Sequence, residues 1–248
     1  MSDTVAAPVL AAAAGEAPNA GPVVSATDLT RRYGEGDTAV DALRGISLDV
    51  PKGQLTAVMG PSGSGKSTLL HCLGAIVRPD AGRVVYAGRE VSGLSDVDRS
   101  ALRRRAFGFV FQFGQLVPEL TCLENVALGL RLDGVRRRVA EQRARDWLDQ
   151  LEVADVAGKL PGQISGGQGQ RVAVARALVT GARVVFADEP TGALDSLNGE
   201  KVMVLLTRAA RESGAAVVLV THDARVAAYA DREVIVRDGV AGDLERVA

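Results

Sequence analysis

Residues 60–68 read Gly-Pro-Ser-Gly-Ser-Gly-Lys-Ser-Thr, and no other stretch restricts the chain as much. An apolar run, residues 54–59, leads into it, and residues 66–77 leave it with Leu69, Leu70, Leu73 and Ile76 at helical spacing. Strand, glycine-rich loop and helix in that order form an α/β unit with its loop at the carboxyl end of a strand. Gly60, Gly63 and Gly65 let successive backbone N–H groups turn toward one point and cradle phosphate oxygens. The helix that begins there adds its positive end. The run fits GxxxxGK[ST], which assigns Lys66 to the β- and γ-phosphates and the Ser67 hydroxyl to Mg²⁺, with Pro61, Ser62, Ser64 and Thr68 completing the loop. Only four of the 29 basic residues are lysine, so Lys66 in such a loop stands out.

The rest of the chain repeats the theme. Residues 23–32 and 39–50 read as strands around the turn-rich residues 34–37, and 82–86 and 106–112 as further strands, with a helix over 96–105. Residues 121–151 and 168–180 are helical in pattern, with Trp147, Leu148 and Leu151 as packing residues. Two strand–helix units follow, 183–187 with 196–212 and 215–220 with 224–230, and a strand over 233–237 ends the pattern. Such alternation predicts a mostly parallel sheet covered on both faces. Residues 113–180 interrupt it as a helical subdomain, and 23–240 form a single domain behind a flexible Ala/Pro/Gly-rich tail, 1–22.

Composition narrows the function. Apolar residues are 47% of 248, enough for a core, and no apolar run approaches the ~18–20 residues that span a bilayer. The apolar start lacks the positive residues of a secretory signal. A net charge of −1 supplies no basic field, so no nucleic acid is expected as partner. Cys72 and Cys122 are too few for a disulfide framework and read as intracellular thiols.

Two further places carry chemistry. Residues 183–187 deliver Asp188 and Glu189 at a strand's carboxyl end, where Asp188 suits a second Mg²⁺ contact and Glu189 suits polarising an attacking water. Residues 164–171, Ile-Ser-Gly-Gly-Gln-Gly-Gln-Arg, open another helix, with Ser165 as its cap and two glycines exposing backbone N–H groups. Two anion-binding helix starts 99 positions apart make sense if the second completes the pocket of another copy.

Residues 165–168 resemble the signature of ATP-binding-cassette (ABC) ATPases, and that family's other markers follow in order from about residue 23 to 239. The resemblance implies a P-loop NTPase fold of the ABC type, with an N-terminal antiparallel β region and a helical subdomain. It implies that Tyr33 stacks on adenine and that Gln112 senses Mg²⁺. It also implies that Asp195 lies in the loop contacting the opposite subunit and that His222 is the switch histidine. On that reading ATP and Mg²⁺ are bound between two copies paired head to tail. Ser67, Gln112 and Asp188 hold the metal, Ser165, Gly166, Gly167 and Gln168 close over the γ-phosphate from the other copy, and Glu189 is the general base. Gly169 departs from the family pattern, which has glutamine or glutamate there. The branch most similar is that of lipoprotein release, macrolide efflux and cell division. This implies a peripheral ATPase on the cytoplasmic face of the inner membrane, powering a separate integral-membrane permease through residues 113–124. Transmembrane mechanical signalling and a soluble ATPase of iron–sulfur assembly are the alternatives. His71, Arg103–Arg105 and Arg136–Arg138 read as structural or solvated.

Overall fold

The computed structural model describes residues 21–244. In chain order it contains β1 (Val24–Tyr33), β2 (Val40–Val50), β3 (Leu55–Met59), α1 (Lys66–Leu73), β4 (Ala81–Tyr86), β5 (Arg89–Glu90), α2 (Asp96–Ala106), β6 (Phe107–Phe111), α3 (Cys122–Leu132) and α4 (Arg137–Gln150). These are followed by α5 (Gly166–Leu178), β7 (Val184–Asp188), α6 (Ser196–Ser213), β8 (Ala216–Val220), α7 (Ala224–Ala227), β9 (Arg232–Arg237) and β10 (Val240–Leu244). One sheet is antiparallel, in the order β2-β1-β4-β5. The other, in the order β10-β9-β3-β8-β7-β6, is parallel except for β10. Among the described residues no helix is long and apolar enough to cross a membrane.

The larger sheet is buried on both sides, which is why its inner strands are continuous apolar runs rather than alternating ones. Alternate side chains still part company. Leu55 and Ala57, Val185 and Ala187, Val217 and Leu219 join the helices α3–α7 on one face. Val58, Phe186, Val218 and Val220 join α1, α2 and the antiparallel sheet on the other. The helices within 113–180 share the first of these cores rather than building their own, because α5 lies directly against β6. A Cβ on Gly108 would run into the Ala177 carbonyl oxygen.

Several expected boundaries move for local reasons. The helix after the glycine loop stops at Leu73 instead of reaching Val77: Gly74 leaves room for the Phe109 ring, Ala75 turns left-handed (φ 54°), and the N–H groups of Ile76 and Val77 both donate back to the His71 carbonyl. Residues 121–151 are two helices, parted at Asp133-Gly134, where Gly134 has φ 85°. The helix expected over 224–230 ends at Ala227. The pattern does not close at residue 237. Asp238 (φ 49°) and Gly239 (φ 76°) form a two-residue hairpin into β10, which runs beyond the expected boundary at 240. Asp-Gly between apolar strands is the sequence signal for such a turn. Ala87-Gly88 makes a second hairpin, adding the unexpected β5. The expectation for residues 1–20 lies outside the described residues.

Candidate active site

Register decides where the chemistry assembles. Val58 pairs with Val220, Val220 with Asp188, and Asp188 with Phe111, so the carboxyl ends of β3, β8, β7 and β6 lie in one transverse row. Each strand is followed within two residues by a candidate: Gly60 after β3, His222 after β8, Glu189 after β7 and Gln112 after β6. A cavity of about 660 Å³ opens there, lined among others by Pro61, Ser62, Gly63, Gly65, Lys66, Ser67, Thr68, Gln112, Glu189 and His222.

The loop over 60–65 is locked by close approach. A Cβ on Gly60 would overlap the Val236 carbonyl oxygen, and one on Gly65 the Ala42 carbonyl oxygen; both glycines have positive φ (147° and 103°). The C-terminal hairpin braces the loop, with the Gly239 N–H donating to the Ser64 carbonyl at 3.0 Å. Lys66 is 7% exposed, its ammonium donates to the Pro61 carbonyl at 2.7 Å, and among the described residues it forms no ion pair with a carboxylate. A buried cation so placed favours an anionic ligand. The Ser64 hydroxyl is buried in the same loop without a hydrogen-bond partner.

At the floor, the Ser67 hydroxyl donates to Asp188 Oδ1 at 3.1 Å. Burial pushes the Asp188 carboxyl above its ordinary range, against the opposing pull of the Ser67 hydrogen bond, His71 and Lys66. Gln112 stands over Gly192, where a Cβ would press on its amide at 2.8 Å. Ser67, Gln112 and Asp188 offer the hard oxygen donors that suit Mg²⁺, and a desolvated carboxylate gains from a cation beside it. The residues present therefore fit both a phosphate chain and the metal.

Glu189 adopts a left-handed backbone (φ 46°) and is held from every side. Its N–H donates to the Val220 carbonyl at 2.9 Å and its carbonyl accepts from the Gly192 N–H at 3.0 Å. Its carboxylate meets His222 Nδ1 at 2.7 Å and accepts the Thr221 hydroxyl at 3.3 Å. Thr221, buried at the end of β8, was not singled out by sequence reasoning. Its only signal is a hydroxyl residue closing an apolar run beside His222.

The other candidates lie outside this cavity wall. Ser165 and Gly166 are exposed at the start of α5, where Ser165 and Gln168 exchange bonds in a capping box. Gly167 packs on Asn198, so the signature sits on the start of α6, which Asp195 caps through the Asn198 N–H at 3.0 Å. Tyr33 ends β1 opposite Val40, partly exposed, with the Arg31 guanidinium 4.8 Å from its ring centre.

Over residues 43–192, more than half its length, the chain matches the family described as ABC transporter. This chain belongs to the ABC transporter family. It is 45% identical over 212 residues to the lipoprotein-releasing system ATP-binding protein LolD of Geobacter metallireducens, covering 86% of this chain and 94% of that one. It is 48% identical over 218 residues to the macrolide export ATP-binding/permease protein MacB 1/2 of Paracoccus denitrificans, covering 88% of this chain and 32% of that one. Among solved structures, a dimeric ATP-binding cassette in a post-hydrolysis state bound to ADP and Pi superposes with a TM-score of 0.82 at 39% identity, over 90% of this chain and 99% of that one. The ABC cassette described above is accordingly an ATPase, converting ATP and water to ADP and phosphate, and the mixed α/β fold and the branch expected from its sequence are those found.

Proposed function

We propose that the chain is the ATP-hydrolysing subunit of a membrane extruder, pairing head to tail with a second copy and driving a separate permease that extracts or exports a lipid, peptide or drug. The observation that carries the pairing is the position of the signature. Ser165 and Gly166 are presented to solvent at a capped helix start and line none of the cavity that holds Lys66. The Gly166 N–H and the positive end of α5 suit the γ-phosphate held by a partner copy. Relatives named for lipoprotein release match over nearly their whole length, which supports a free-standing ATPase subunit at the cytoplasmic face of the membrane.

The geometry of the cavity and the family resemblance together support the following roles. Lys66, released from the Pro61 carbonyl, binds the β- and γ-phosphate oxygens along with the loop N–H groups, and Tyr33 receives adenine on its outer face. Mg²⁺, held by Ser67, Gln112 and Asp188, neutralises phosphate charge when bound. Glu189 orients and deprotonates the attacking water, kept in place by Thr221, while His222 fixes the geometry at the γ-phosphate. Ser165, Gly166, Gly167 and Gln168 of the partner copy close the site, with Asp195 at the seam. Phosphoryl transfer needs chiefly such positioning and charge stabilisation.

The test is a pull-down of tagged Glu189→Gln chain from detergent-solubilised native membranes with Mg·ATP. A multi-span membrane protein in stoichiometric yield is the expected result. A soluble partner, or recovery only from the cytosol, would overturn the transport reading and leave the ATPase chemistry standing.

A further inference from the structure

At the free edge of the larger sheet, away from the nucleotide cavity, α2, β6 and α5 enclose a second hollow of about 280 Å³. That is small for a cofactor and of the scale of one or two side chains. Its wall combines the parallel-stacked rings of Phe109 and Phe111 with three arginines, Arg103, Arg104 and Arg176, and contains no acidic residue. None of these arginines forms an ion pair among the described residues. Arg103 donates to the Ala75 carbonyl and the Ser100 hydroxyl, and Arg176 to the carbonyls of Gly114 and Gln115 at 2.6 and 2.7 Å. The Arg104 Nε is buried with no partner at all. The nearby carboxylates are already engaged: Asp133 by Arg105 at 2.6 Å, and Asp96 by Arg99 and Arg78 at 2.6 and 3.2 Å. Burial lowers the proton affinity of both Arg103 and Arg176, and for Arg103 the neighbouring Arg99 and Arg104 add to the effect. Among the described residues, then, no carboxylate pairs directly with these three half-buried cations against an aromatic wall; Asp96 acts on Arg103 only from beyond ion-pair distance, its carboxylate being held by Arg99 and Arg78.

We infer that this hollow is a socket for a carboxylate side chain of the permease, an Asp or Glu that inserts between Arg103, Arg104 and Arg176 as the two proteins dock. The inference rests on the permease reading above and names the chemistry of its contact. Charge complementarity selects the occupant, since a guanidinium fork takes a carboxylate with two parallel bonds. Phe113, two positions before the socket's Gln115 in the chain, is 76% exposed and leaves an apolar side chain on the same turn-forming segment. The socket is also tied to the segment that carries Gln112. Gly114 and Gln115 both have positive φ (67° and 46°), and this left-handed turn begins two residues after Gln112. Arg176 clamps its two carbonyls from α5, while Gln170 Nε2 clamps the Phe111 carbonyl at 2.8 Å on the other side of Gln112. A carboxylate that draws on Arg176 thus acts on the turn that aims Gln112.

The experiment replaces Gln115 by a benzophenone amino acid in the full chain, crosslinks it in native membranes, and maps the captured peptide by mass spectrometry. A permease segment containing an Asp or Glu is expected. Arg104→Glu should reduce the crosslink about tenfold or more, and changing the mapped acid to Arg in the same cells should restore it. Arg104→Gln gives an intermediate loss, and melting temperature with ATP affinity shows that each variant is folded. A captured segment without an acid, or a charge swap that restores nothing, overturns the socket. So does loss of binding to phosphatidylglycerol vesicles as the sole effect of Arg104→Glu, which would assign the arginines to lipid. If the Glu189→Gln pull-down yields a permease and the crosslink finds no acid, only the socket fails. If the pull-down yields no membrane protein, the permease reading fails first.

Discussion

Glu189 occupies a conformation that costs a non-glycine residue about 1–3 kcal/mol, and four neighbours, Val220, Gly192, Thr221 and His222, over-determine it. The strain aims a carboxylate at the cavity while Thr221 and His222 each hold one of its oxygens. Thr221→Val keeps the volume and removes the hydroxyl. The lost bond to a charged group is worth about 1.5–3 kcal/mol, so kcat should fall by roughly tenfold or more with the KM for ATP unchanged. Steady-state kinetics that show an unaltered kcat would remove Thr221 from the site. Lys66→Ala strips the cavity of its buried cation and should abolish nucleotide binding by calorimetry; retained affinity would contradict the phosphate assignment. Gly65→Ala should do the same without touching a charge, because its Cβ would displace the loop from the Ala42 carbonyl.

Helix α5 is the element in which several functions meet. Its first turn presents Ser165 and Gly166, its interior carries Gln170 and Arg176, and its packed side touches β6 across Gly108. Gly169 stands in this helix at a cost of up to about 1 kcal/mol relative to alanine. A Cβ there would meet only the Ile164 side chain, at an ordinary 3.7 Å. Gly169→Ala should therefore stabilise the protein by about 0.5–1 kcal/mol in urea unfolding, with ATPase activity retained. Gly108→Ala should act oppositely, by about 1–3 kcal/mol, because its Cβ enters the Ala177 backbone and parts β6 from α5. An equal effect of the two substitutions would show that α5 tolerates displacement from the sheet.

At the scale of the molecule, one sheet shared by two cores places the phosphate loop and the signature on a continuous framework but in separate positions. Head-to-tail pairing predicts complementation. A chain with Lys66→Ala and another with Gly166→Asp should each be inactive alone. Mixed, they form a heterodimer in which one site has both an intact Lys66 and an intact signature, and part of the ATPase activity should return. Activity that stays absent on mixing, with both chains folded, would indicate that the signature does not act across a pair.

Local chemistry was legible in the order of residues. Gly60–Thr68, the Asp188-Glu189 pair and the Ser165 helix start are each set by contiguous positions, since a turn, a strand end or a cap is made by neighbours in the chain. The continuous apolar strands likewise announced a sheet buried on both faces. Even the Asp238-Gly239 hairpin, which adds a strand past the expected end, was written in two residues. Helix ends were less legible: α1 stops where the Phe109 ring, 35 positions later, needs the space above Gly74. The same limit hid the hydrogen bond of Thr221 to Glu189, 32 positions away, and the hollow that Arg103, Arg104 and Arg176 line. Those depend on strand register and on what packs beside them. The sequence by itself determined which groups are chemically suited to phosphate, metal and water. Only the tertiary structure decided which of them share a cavity, because the row joining Val58, Val220, Asp188 and Phe111 is made by hydrogen bonds between strands far apart in the chain.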